Sequence, residues 1–103
     1  MPKFIFAYHG GKMPESEEEG AKVMAAWGAW IGGLGDAFVT PGAPVGMSKT
    51  VSASGVEDNG GSNPISGYSV VMADNMDAAI EIAKGCPGLA NESTVEVAEL
   101  IEM

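Results

Sequence analysis

The chain has 103 residues and a net charge of −9, from fourteen acidic residues against five lysines and no arginine. That length supports one domain with one modest core, and 46% apolar residues are too many for a disordered chain. Without a basic patch the chain has no electrostatic means of holding nucleic acid or an anionic membrane, and without arginine it lacks the bidentate clamp for carboxylate or phosphate.

Residues 3–9 predict a strand that ends at Gly10-Gly11, with Phe4, Phe6 and Tyr8 on one face and Ile5, Ala7 and His9 on the other. Ser16 followed by Glu17, Glu18 and Glu19 fits a capping box with acids at the positive end of the helix dipole. The helix runs to Leu34 and stops at Gly35. Val23, Trp27, Trp30, Ile31 and Leu34 form its apolar stripe, and Ala25, Gly28, Ala29 and Gly32 a second stripe of small residues. Residues 36–40 predict a short strand ended by Pro41-Gly42 and Pro44, and residues 47–53 a second strand. Residues 54–66, rich in glycine and asparagine, predict a loop. Residues 67–73 predict a further strand. Asn75 caps a second helix whose buried stripe is Met76, Ala79, Ile80 and Ala83, closed by Gly85 and Pro87. Residues 94–101 predict the last strand, with Val95, Val97 and Ile101 on one face and Ala98 and Leu100 on the other.

This order predicts an α+β domain over residues 1–103, a ferredoxin-like βαββαβ unit with an antiparallel sheet, residues 36–40 being a lead-in. Two helices on one face leave the other uncovered. The first and last strands are apolar on both sides, which calls for a second copy of the chain as cover. The opening nine residues are too short and too soon interrupted for a signal peptide. No apolar run approaches the ~18 residues of a membrane span. A lone cysteine, Cys86, excludes an intrachain disulfide and suits a reducing compartment. A cytoplasmic protein without a membrane partner is the expectation.

Several stretches together carry a family resemblance. They are the Lys3-to-Tyr8 strand, the Met24…Trp27…Trp30…Leu34-Gly35 helix and Gly67-Tyr68. To these add Ala73-Asp74-Asn75-Met76-Asp77-Ala78-Ala79, Ala83-Lys84-Gly85-Cys86-Pro87 and Val95-Glu96-Val97. Over nearly its whole length the chain resembles the YCII-related or DGPF-domain family. The resemblance implies a homodimer with a dimeric α/β-barrel fold. Some members are suggested to use a His–Asp pair with the His on the first helix. No His stands near Met24 to Trp27 here, and the loop that would carry Asp-Gly-Pro-Phe reads Val56-Glu57-Asp58-Asn59-Gly60-Gly61.

For chemistry, His9 is the single imidazole and the best candidate general acid or base. Asp36, just past the helix-ending Gly35, is its most plausible acidic partner. Tyr8, Trp27, Trp30 and Tyr68 are the candidate walls of a small-molecule cavity between sheet and helices. No metal-ligand spacing, nucleophile elbow or phosphate loop is present, so no cofactor or metal is expected. Three functions stay open: a binding module for a small, mostly apolar molecule, a cofactor-free enzyme moving a proton on a small aromatic or carbonyl compound, or an accessory dimer without a ligand.

Overall fold

The computed structural model describes residues 2–11, 15–58 and 64–101. Strand β1 is Lys3–Gly10, and its alternation resolves into two unlike faces. Phe4, Phe6 and Tyr8 are buried, whereas Ile5, Ala7 and His9 are half-buried. Helix α1, Glu17–Leu34, starts at Ser16, whose Oγ accepts from the Glu19 amide at 3.1 Å. The Glu19 carboxylate completes the cap one residue further out than a capping box predicts, accepting from the Glu15 amide at 3.1 Å. Gly35 closes the helix with φ near +52°.

No residue of α1 is fully buried. The helix holds to the sheet through Trp27 and Trp30, which pack on the core. Its small-residue stripe faces outward: a Cβ added at Gly28 or Gly32 would meet nothing within 4 Å.

After a 3-10 turn at Gly35–Ala37, strand β2 is Phe38–Pro44. Here the structure corrects two sequence expectations. Pro41 does not end the strand but lies within it, and residues 47–53 take a different place, while Pro44 is the last residue of β2 as expected. Pro41 is tolerated because β2 is an edge strand, paired on one side only. The ladder to its neighbour slips between Phe38 and Thr40 and again between Thr40 and Ala43. Residues 47–53 do not join the main sheet. Only Thr50–Ser52, strand β3, is extended, and it pairs with β4, Gly55–Glu57, inside the stretch expected to be a loop.

Strand β5 is Ile65–Met72, helix α2 is Met76–Ala83, and a 3-10 turn at Pro87–Asn91 leads into β6, Ser93–Glu99. Asn75 caps α2 as expected, its Oδ1 accepting from the Ala78 amide at 2.8 Å. Ala79 and Ala83 are its buried positions, while Met76 and Ile80 stay partly exposed. Ile101 lies beyond β6 and is 83% exposed, outside the face assigned to it.

The main sheet has the order β2-β5-β1-β6 with every neighbouring pair antiparallel. With β3 and β4 as an inserted hairpin, this α+β arrangement is compatible with a ferredoxin-like βαββαβ fold. The core gathers Phe4, Phe6, Tyr8 and Val71 from the sheet with Ala79, Ala83 and Cys86 from α2 and its exit. The opposite face carries Ile5, Ala7, His9, Tyr68, Val70, Met72, Thr94, Glu96 and Ala98, none of them buried. Thr94 and Glu96 make the β6 end of that face polar, so β6 is not apolar on both sides as expected. The sheet stays open, with β2 and β6 as its edges. Among the described residues no helix is long and apolar enough to cross a membrane.

Gly42 fixes the path of β2. Its φ is near +76°, and an added Cβ would run into the Tyr68 carbonyl. Gly42→Ala therefore combines left-handed backbone strain with a main-chain collision, and should lower stability by roughly 2–4 kcal/mol. Urea unfolding checks this, and a loss below about 0.5 kcal/mol would mean that β2 shifts freely.

Candidate functional site

A cavity of about 420 Å³ lies between α1 and the β2–β5–β1 part of the sheet. Met24, Trp27 and Ile31 of α1 form one wall. Residues 41–44 of β2 and 66–69 of β5 form the other, and Tyr8 and Ser93 complete it. The space exists because α1 reaches the sheet through large aromatic rings and because Gly67, which pairs with Tyr8, has no side chain to fill it. Gly67 is itself constrained: a Cβ there would lie 3.1 Å from the Ala43 carbonyl oxygen and 3.4 Å from the Tyr8 ring.

The lining is mostly apolar, with Ser66, Tyr68 and Ser93 as further polar residues of the wall, and it holds one built polar feature. Tyr8 Oη donates to Ser69 Oγ at 2.8 Å, and Ser69 Oγ donates to the Pro41 carbonyl oxygen at 2.6 Å. Both side chains are buried, Ser69 almost completely. Burial pushes the Tyr8 phenol up to about 12, with the Ser69 hydrogen bond pulling the other way. The Tyr8 ring meets Trp27 edge-on, 5.0 Å between centroids at 84°.

Three of the four expected wall residues, Tyr8, Trp27 and Tyr68, line this cavity. Tyr68 does so although the pleat sets its Cβ on the other face of β5. Trp30 is not in the wall. It stacks on Phe6 at 6.4 Å and 15° and meets Phe38 edge-on at 5.2 Å, so it is a packing residue of the core.

The structure does not bring His9 and Asp36 together. Asp36 sits in the turn before Phe38, whose partner in the sheet is Val71, itself paired with Phe4. His9 is five residues further along β1, about 17 Å away at the other end of the sheet. Its Nε2 lies 3.0 Å from Glu96 Oε1 on the open face, the side chain 13% exposed. Neither His9 nor Asp36 lines the cavity. Cys86 is buried beneath α2, and burial pushes its thiol up, which keeps it protonated and unreactive. Among the described residues no group of three or more His, Cys, Asp or Glu is placed to hold a metal ion.

Sequence reasoning missed Ser69 and Pro41. Ser69 shares with Tyr8 the inward face of its strand, and a polar residue at an inward position next to an inward tyrosine was the available signal. Pro41 has the sequence signature of a strand terminator, which hides its role as an acceptor in the wall. Comparisons with protein-family models, curated proteins and solved structures give no match.

The raised Tyr8 value has a pH consequence. The fold favours the neutral phenol, so this contribution to stability is complete below pH 10 and is lost as pH rises from 10 towards 12. In a Tyr68→Phe variant Tyr8 is the single tyrosine. Its phenolate absorbance should appear with a midpoint well above 10, or together with unfolding if the fold yields first. A midpoint at the ordinary value with circular dichroism intact would place the phenol in water.

Proposed function

We propose that this protein is a homodimeric binding module for a small, mostly apolar molecule held between α1 and the sheet. The cavity carries this reading. Its volume lies in the lower part of the range of small-molecule sites, enough for a one- or two-ring compound. Its lining is mostly aromatic and aliphatic, with a single buried polar relay to orient the guest. Binding is favoured over proton-transfer catalysis because, among the described residues, the only titratable side chains in the wall are Tyr8 and Tyr68. Tyr8 is held neutral far above physiological pH, and a general base needs a value near the working pH.

The homodimer rests on the open sheet face. Ile5, Ala7, Val70, Met72 and Ala98 make its centre apolar, with the His9–Glu96 pair towards one side. Four strands of seven or eight residues present roughly 500 Å² per copy, about 1,000 Å² for two, close to the lower limit of a stable interface. The β3–β4 hairpin offers further exposed apolar surface to a second copy. Among the described residues it has no third strand, and such a hairpin is marginal alone in water. Met47, Val51 and Val56 on and beside it are 96%, 75% and 61% exposed. The family resemblance points to the same dimeric barrel, and the buried thiol of Cys86 suits a cytoplasmic setting.

Two measurements test these proposals. In thermal unfolding with one- and two-ring aromatic compounds, a ligand at ten times its Kd should add about 1.4 kcal/mol, or several degrees. Trp27→Ala should abolish that gain, and no shift from any compound at millimolar concentration would sink the binding reading. Light scattering at tens of micromolar should give twice the 10.5 kDa of one chain, and Val70→Glu, on the open face, should give folded monomer. A wild-type monomer would overturn the dimer.

A further inference from the structure

We propose that the cavity selects ligands that carry a hydrogen-bond donor, an aromatic hydroxyl or ring N–H, received by the Tyr8 phenolic oxygen. This rests on the binding reading above and narrows it to a ligand class.

The direction of the polar relay is forced. The Pro41 carbonyl oxygen has no proton and can only accept. Ser69 therefore spends its single hydroxyl proton on Pro41, at 2.6 Å. The 2.8 Å bond between Tyr8 and Ser69 must then run from the tyrosine, which spends the phenolic proton. What Tyr8 has left for a guest is a lone pair. The phenol stays neutral because burial raises its pKa, so it offers no charge that would attract a cation. A carbonyl, ether or carboxylate oxygen brought to this point meets lone pair against lone pair. A phenol or indole N–H meets an acceptor already polarised by its own donation.

The remaining polar side chains in the wall do not set this rule. The hydroxyls of Ser66, Tyr68 and Ser93 serve donors and acceptors alike. The ring is also held in place, edge-on against Trp27 and over Gly67. An aromatic guest in this space lies beside Trp27 with its polar atom directed at Tyr8.

The test compares 2-naphthol with 2-methoxynaphthalene, which have the same two rings and differ in the donor, by calorimetric titration of the intact protein. The wild type should bind 2-naphthol about tenfold more tightly, equal to about 1.4 kcal/mol. Tyr8→Phe should erase the preference while Ser69 keeps its bond to Pro41. Ser69→Ala frees the phenolic proton, and should add affinity for an acceptor probe, 2-naphthaldehyde, relative to wild type. Equal binding of the first two probes by the wild type, or a preference that survives Tyr8→Phe, would overturn the donor rule and leave the cavity reading standing. Absence of binding by all three probes to the folded wild type would overturn both.

Discussion

The two-residue alternation of β1 governs the rest of the structure. As an inner strand it lies between β5 and β6, so whichever face it fills with rings becomes the core. Phe4, Phe6 and Tyr8 take one face, and both helices follow them to it. Ile5, Ala7 and His9 are thereby committed to the other. A slip of one residue in register would send the rings into water and the imidazole into the core, so the pairing with Val71, Ser69 and Gly67 is strongly specified. Phe6 has virtually no exposure, and Trp30 stacks on it. Trp30 on Phe6 and Trp27 against Tyr8, one turn apart in the C-terminal half of α1, thus fix the helix to β1. Beyond this pair of rings the helix has no fully buried residue, and a cavity lined by Met24, Trp27 and Ile31 opens beside Tyr8 rather than a second layer of core.

Much of this was legible in the sequence because the signals were strictly local. Ser16 and Asn75 cap where a side-chain oxygen precedes an apolar period, and Gly35 stops α1 because it takes a positive φ at no steric cost. The cavity walls contributed by Tyr8 and Trp27 could be read from period alone. The illegible parts depend on pairing partners, which no local pattern carries. Pro41 would stop a strand that must donate on both sides, but an edge strand needs to donate on only one. The alternating run from Met47 to Ala53 has a strand's pattern without a place in the main sheet, and only its middle finds a partner in β4. The same limit applies to His9 and Asp36. Chemical type links them, but the antiparallel register puts them at opposite ends of the sheet, with Glu96 as a carboxylate beside His9.

The relay from Tyr8 through Ser69 to Pro41 joins fold and site. A proline in β2 has no N–H to give its neighbour, and the ladder slips at just this stretch. Ser69 supplies a side-chain bond to the Pro41 carbonyl in place of a regular ladder step. Gly42 lets the chain pass close over the Tyr68 carbonyl immediately afterwards. A phenylalanine and an alanine at positions 8 and 69 would avoid the desolvation of two hydroxyls, but they would leave the Pro41 carbonyl without this donor. The edge strand therefore gives Ser69 a structural reason to be polar, and Ser69 gives Tyr8 a buried partner. The proton order follows from the acceptor at the end of the chain. A main-chain carbonyl never donates, so the relay has one direction, and the lone pair that remains on Tyr8 is a consequence of how β2 is attached to β5.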